Sequence, residues 1–366
     1  MEQTFEIGGD LVSTDERPVI RTGFVGCGNH AFRNVYPTLQ FAPVELVATC
    51  DLDGERAAAY ADQFGADRSY EDHTEMLNEE SLDAVFIVVG YGEGGRPLYP
   101  PVAEDVLRAG CNAWIEKPPA ASADEIRELI RVEDETDQFV NVGLKKVYNP
   151  AVAKAKEITE REEFGAVDTI SVRYPEPLPD REDPDQKLSH DSSLIGFLDH
   201  LVHPGSIISY LGGPMESVHV SASDDGGGFL TIRFESDAVG TIHMAAGDSG
   251  SSPLERVEVV GDGANVVVEN GIELEYYRPY DKGPYGRTTD FMDGEGKAPI
   301  RWRPEFSLGQ LYNKNLFSLG YYHEITEFAE SCLDGTPPEK AGTEMALELL
   351  RLYEAVLQGE NRHIEL

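Results

Sequence analysis

The chain has 366 residues, 40% of them hydrophobic, and a formal net charge of −37 at pH 7. That length exceeds the roughly 250–300 residues at which a single core stops growing, so two domains are expected, and the apolar content excludes a disordered chain. The charge repels phosphate backbones and anionic bilayers, and no stretch reaches the ~18 unbroken apolar residues of a membrane span, which argues against nucleic acid and membrane as partners.

Residues 1–17 are acidic and polar, without the basic start and apolar middle of a signal peptide, and read as a tail. From Pro18 the chain alternates. Val19–Val25 is predicted as a strand ending in Gly26-Cys27-Gly28, and Asn29–Gln40 as a helix with Phe32, Val35 and Leu39 at helical spacing. Glu45–Cys50 is a second strand, followed by Asp51 and the Ala-rich helix Glu55–Phe64. Asp83–Val89 is continuously apolar, as a parallel strand buried on both faces should be. Leu98–Ala109 is helical, Asn112–Ile115 a strand, Ser122 caps a helix ending near Thr136, and Phe139–Leu144 closes the sheet. Repeated strand–helix units predict a parallel sheet with right-handed crossovers over 18–145.

Past Pro150 the pattern changes, so a second domain is expected over 146–366, with its closing helix packing back on the first. A helix (Ala151–Glu162) and a strand (Asp168–Tyr174) precede an acidic, Pro-rich loop from Pro175 to about Gln186. Leu194–Leu211 is predicted as an amphipathic helix in which Asp199 and His203 are four apart and share a face. Ser217–Ser221, Phe229–Phe234, Gly240–Ala245, Glu255–Val260 and Asn265–Glu269 alternate like antiparallel strands. Tyr276, Tyr277, Tyr280, Tyr285, Trp302, Tyr312, Tyr321 and Tyr322 crowd one late stretch, where they either cover a site or pack in a core or interface. Phe317–Leu333 and Thr343–Gln358 are closing helices.

The acidity is spread over helix faces such as Ala123–Asp137 and Glu157–Glu163, and lysine is half as frequent as arginine. Such a surface suits concentrated salt, where screening removes self-repulsion; the alternative is an unusually acidic protein of ordinary cytoplasm. On the first reading the melting temperature rises in molar KCl relative to dilute buffer, and a flat or falling value rules that reading out. The cysteines Cys27, Cys50, Cys111 and Cys332 lie far apart, without metal or redox spacing, and read as reduced thiols of a cytoplasmic protein.

A lone G-x-G is weak, but here the turn follows a strand, opens a helix and precedes Asp51 at the end of the next strand. A pyrophosphate can approach such a backbone and lie at the helix N-terminus. Asp51 can accept from the adenosine ribose hydroxyls and would repel a 2′-phosphate, favouring NAD over NADP; it can equally be a turn residue, and both readings can hold. Gly26, Gly28, Asn29, His30, Asp51, Val89, Gly90 and Glu116 are the candidate cofactor-binding residues.

At Ile115-Glu116-Lys117-Pro118-Pro119 the sequence resembles the Gfo/Idh/MocA family, named for glucose–fructose oxidoreductase and inositol dehydrogenase. Phe24–Gly28, Val44–Asp51, Leu82–Val85, Ala109–Pro118 and Val142–Lys146 with Asn149-Pro150 extend the likeness along the chain. The resemblance implies an α/β fold: an N-terminal Rossmann domain and a C-terminal domain with a large, mostly antiparallel open-faced sheet. It also implies a homodimer or homotetramer acting on a small sugar or polyol. Carried over residue by residue, it makes Lys117, Asp199 and His203 catalytic. His203 is the base for the substrate hydroxyl, Asp199 orients the imidazole, and Lys117 stabilises the developing alkoxide. With His203 as base, turnover is expected to rise through one ionisation near neutral pH.

Two departures stand out. Arg96-Pro97-Leu98-Tyr99, after the Gly-rich insertion Tyr91–Gly95, occupies the family's Asn-x-x-His, and Val147 replaces an arginine beside Lys145 and Lys146. Lys146 and His200 are the candidate substrate-binding residues. His200 and His203 beside Asp199 could look like a metal site, but they supply only two imidazoles and the usual third ligand has no obvious candidate, so no metal is expected. The expected activity is NAD-dependent hydride transfer to or from a secondary alcohol of a sugar, cyclitol or polyol. The alternatives are non-net-redox elimination with a retained NAD, and a dinucleotide-sensing binding protein.

Overall fold

The apolar runs of the first half become six parallel strands: β1 Ile20–Val25, β2 Val44–Cys50, β3 Arg68–Tyr70, β4 Ala84–Ile87, β5 Asn112–Ile115 and β6 Val140–Val142. The computed structural model describes residues 18–179, 192–279, 298–303, 314–359 and 362–366. The expected tail 1–17, the later part of the acidic loop, Tyr280, Tyr285 and Tyr312 lie outside them. The sheet order is β3-β2-β1-β4-β5-β6, that of the doubly wound dinucleotide-binding fold, with the order of strand addition reversing at the β1/β4 boundary. β4 and β5 are buried throughout, as their unbroken hydrophobicity requires. Strand β3 and the helix His73–Glu79 add an edge unit beyond the sequence expectation; a three-residue strand with two exposed positions leaves no periodicity to read.

The predicted helix over 29–40 departs from expectation. Asn29 and His30 open the segment α-helically, Ala31–Val35 is a π-helical turn, and Tyr36–Leu39 is α-helical again. Pro37 has no N–H to give the carbonyl four residues back, and its ring would crowd that carbonyl. Tyr36 N–H instead reaches Ala31 O, five residues back. The extra residue rotates the register: Ala31, Val35, Tyr36 and Leu39 are buried, while Phe32, expected inside, is 46% exposed.

The second domain is a nine-stranded sheet: β7 Thr169–Tyr174, β8 Met215–Ala222, β9 Gly228–Phe234, β10 Val239–Met244, β11 Arg256–Val260, β12 Asn265–Glu269, β13 Glu273–Tyr277, β14 Ile300–Trp302 and β15 His363–Glu365. Their order is β14-β13-β12-β11-β7-β10-β9-β8-β15, antiparallel except where β7 meets β10. One face is covered by the helix Ser192–Gly212; the other shows the alternation of Gly228–Phe234, with Phe229 exposed and stacked on His243. β13 takes in Tyr276, which is buried and stacked on Phe164 at 6.3 Å, so this tyrosine belongs to the core.

Two closing helices tie the domains together. The expected helix over Phe317–Leu333 is split into Lys314–Ser318 and Tyr321–Asp334. Gly320, at φ +96°, makes the break, and a Cβ there would collide with the Lys145 carbonyl. Phe328 of the second piece packs on Phe86 and Phe139 under the first sheet, at 5.4 and 6.1 Å. Thr343–Val356 lies between Ala123–Thr136 of the first domain and Ser192–Gly212 of the second. Glu354 accepts from Ala123 N–H at 2.8 Å, and Thr343 donates to Glu133 at 2.6 Å. The four cysteines are free thiols, and no described helix is long and apolar enough to cross a membrane.

Candidate active site

The C-terminal ends of β1, β2, β4 and β5 collect Gly26–His30, Asp51, Val89–Gly90 and Glu116–Lys117 along one edge of the parallel sheet. Gly26, at φ +106°, has its α-carbon against the Val88 carbonyl, so no side chain fits between these strands. A Cβ on Gly28 or Gly90 would meet open space instead. Beside Gly28 lies a cavity of about 500 Å³ lined by Cys27, Gly28, Asn29, Arg56 and Tyr60. This cradle of bare backbone beside a helix start fits the diphosphate and adenosine half of a dinucleotide.

Asp51 is engaged on both oxygens. Cys27 N–H donates to Oδ2 at 2.8 Å and Asp53 N–H to Oδ1 at 3.0 Å, with Arg56 Nη1 3.6 Å from Oδ1. The carboxylate therefore stitches the glycine turn to the next helix, whose N-cap is Asp53. Arg56, absent from the sequence expectations, sits five residues after Asp51 and also pairs with Asp53 at 3.0 Å.

Glu116 is buried and works in two directions. Its Oε1 lies 2.8 Å from His30 Nε2, and its Oε2 accepts from Lys117 N–H at 2.9 Å. Tyr321, from the closing helix, brings its hydroxyl 3.5 Å from the same His30 nitrogen and accepts from Lys145 Nζ at 2.9 Å. Of the late aromatics it alone among the described residues touches these groups. Burial lowers the Lys145 pKa.

Lys117 reaches across the domain boundary. Its Nζ lies 2.7 Å from Asp199 Oδ1 on the helix Ser192–Gly212. The same Asp199 oxygen accepts from the Tyr91 hydroxyl at 3.2 Å. Among the described residues no hydrogen bond joins Asp199 to His203; the carboxylate expected to orient the imidazole holds the lysine instead. His203, one turn further on, still enters the field of that lysine. Part of its surface reaches solvent, yet burial, followed by Lys117, Lys146, Lys145 and His200, pushes its pKa well below the ordinary value. This corrects the expected ionisation near neutral pH: His203 is already neutral there, and protonation sets in only at more acidic pH.

The remaining candidates are held elsewhere. Lys146 Nζ pairs with Glu255 at 2.7 Å, both nearly buried, so this cation is neutralised by its own chain. His200 Nδ1 lies 3.1 Å from Glu176 Oε1, and both residues line a cavity of about 1000 Å³. Arg96 pairs with Glu125 at 2.8 Å; Tyr99 is buried, with its pKa raised by burial first and then by Glu116, Tyr91 and Asp199. Val147 is fully buried. No group of three or more His, Cys, Asp or Glu among the described residues is disposed to hold a metal.

Known proteins resemble this chain in sequence and in fold. The D-xylose 1-dehydrogenase (NADP(+)) 2 of Haloferax volcanii is 29% identical over 165 residues, 44% of this chain and 48% of that protein. A dehydrogenase from Chromobacterium violaceum superposes with a TM-score of 0.74 at 22% identity, covering 92% of this chain and 94% of that one. Levoglucosan dehydrogenase, solved with NADH and L-sorbose, superposes with a TM-score of 0.72 at 19% identity, covering 95% and 99%. The profile described as an oxidoreductase family with an NAD-binding Rossmann fold matches residues 20–144, and that of the Gfo/Idh/MocA C-terminal domain matches 152–267. The chain therefore belongs to the Gfo/Idh/MocA family of oxidoreductases.

Proposed function

We propose that this protein oxidises a secondary alcohol of a sugar, cyclitol or polyol, or reduces the matching carbonyl, with a nicotinamide cofactor. The observation that carries the reading is the Lys117–Asp199 pair, which joins the sheet edge of the dinucleotide domain to a second-domain helix with His203 one turn away. When bound, the nicotinamide supplies the acceptor for the hydride leaving the alcohol carbon. Neutral His203 takes the hydroxyl proton, the C–O bond becomes a carbonyl, and the imidazolium returns that proton to solvent. Lys117 donates to the substrate oxygen while negative charge builds on it. Asp199 balances the lysine charge and fixes its head group, and Glu116 holds the lysine backbone and His30.

The test is a panel of D-xylose, D-glucose and myo-inositol with NAD and NADP in molar KCl. One equivalent of reduced cofactor per carbonyl product is expected; failure of every pair to reduce cofactor sinks the reading. Product formation with only catalytic NAD would favour elimination instead. The xylose dehydrogenase relative is named for NADP, so cofactor choice has to come from this chain's own residues. Asp51 opposes a 2′-phosphate and Arg56 attracts one. NAD is expected to bind at least about tenfold tighter than NADP; Asp51→Ala narrows the gap and Arg56→Ala widens it. Equal affinities in the unaltered protein overturn the preference.

A further inference from the structure

We propose that Tyr91 is a positioning residue of the active site, delivered by the Gly-rich insertion to hold the Asp199 carboxylate against Lys117. The inference rests on the dehydrogenase reading. The insertion is ordered by its own backbone: Tyr91 and Pro97 form an antiparallel bridge, Gly92 N–H donates to Arg96 O at 2.8 Å, and Gly95 N–H donates to Gly92 O at 3.2 Å. Arg96 anchors the far side to Glu125 at 2.8 Å. The tip, Glu93–Gly95, packs on the helix Ser192–Gly212, so the hairpin belongs to the first domain and rests on the second.

This frame gives the tyrosine one defined task. Its residue is 48% exposed, yet its hydroxyl turns inward and donates to Asp199 Oδ1, the oxygen that also takes the Lys117 ammonium. Two donors converging on one carboxylate oxygen restrict its rotation, and the lysine head group is restricted with it. Burial first, then the Asp199 charge, keeps the phenol protonated, so Tyr91 donates throughout and does not serve as a base. A carboxylate held by a single flexible ammonium would lack this constraint, and alignment with the reacting oxygen is where small displacements cost rate.

Tyr91→Phe removes only the hydroxyl. With the panel substrate that turns over fastest, kcat is expected to fall about tenfold, as for losing a hydrogen bond to a charged group, with KM and NAD affinity unchanged. Slower chemistry raises the deuterium isotope effect on kcat, measured with label at the transferred hydrogen; a smaller fraction of intact enzyme would leave that effect unmoved. Because Tyr91 acts through Asp199, the double variant Asp199→Ala/Tyr91→Phe should be no slower than Asp199→Ala alone. Unchanged kcat and isotope effect in Tyr91→Phe overturn the proposal, as do additive losses in the double variant. If Lys117→Ala is inactive while Tyr91→Phe is normal, only the role of Tyr91 falls; if Lys117→Ala turns over normally, the dehydrogenase site falls with it.

Discussion

Lys117→Ala is expected to lower turnover about 10²–10⁴-fold while NAD affinity is retained. The ammonium projects from the dinucleotide edge toward the helix of His203, with its head group 2.7 Å from Asp199. Lys146 is held by Glu255 and Lys145 donates to Tyr321, so of these three lysines it is Lys117 that is fixed by the helix carrying His203. Cofactor affinity should survive because the glycine turn and Asp51 lie at the opposite end of the groove, held by backbone hydrogen bonds that Lys117 does not make. The substitution leaves Asp199 without its counter-ion, but the carboxylate keeps the Tyr91 hydroxyl and partial contact with solvent. Steady-state kinetics beside NAD binding and a thermal melt separate loss of chemistry from loss of fold. A turnover near that of the unaltered protein would remove Lys117 from the mechanism.

His203→Ala should cost a similar ~10²–10⁴-fold, the range for a lost general base, again with the cofactor bound. The pH dependence gives a sharper test. Burial and three neighbouring lysines disfavour the imidazolium, so the folded-state pKa lies well below the ordinary histidine value. The base form is then fully present at neutral pH. Oxidation should be flat through neutrality and fall only in acid, as the pH approaches that lowered pKa. The same sign applies to stability: the unfolded chain binds the proton more readily, so the contribution of His203 is present above its unfolded pKa and declines as pH falls below it. The acid limb should vanish in His203→Ala. A limb with its midpoint at or above pH 7, or one that persists in the variant, moves the base elsewhere, with His200 the next histidine on that helix.

The local signals of this chain were readable because they depend on neighbours in sequence. Continuous apolar runs mark β4 and β5, and the Gly26–Gly28 turn followed by Asp51 marks the nucleotide edge. The four-residue spacing puts Asp199 and His203 on one helix, and the Ser122 cap starts another. What such signals missed locally was short or displaced by one residue. β3, β14 and β15 have three residues each, and Pro37 forces a π turn whose single extra residue turns Phe32 outward.

By itself, then, the sequence determined the alternation of elements, the nucleotide-binding turn and the residue types available for proton and hydride chemistry. Only the tertiary structure decided the pairings. Asp199 meets Lys117, 82 positions away, rather than His203 four positions away; Lys146 is neutralised by Glu255 across 109 positions; Tyr91 reaches Asp199 across 108. Helical spacing puts two side chains on a common face but does not choose which of several donors a carboxylate will take. That choice goes to the strongest donor that domain packing brings within reach, and in a cleft partly shielded from water a lysine ammonium at 2.7 Å outcompetes a neutral imidazole. The same enclosure that pairs Lys117 with Asp199 also buries His203 and sets it near lysines, and so moves its ionisation below the value its type alone would suggest.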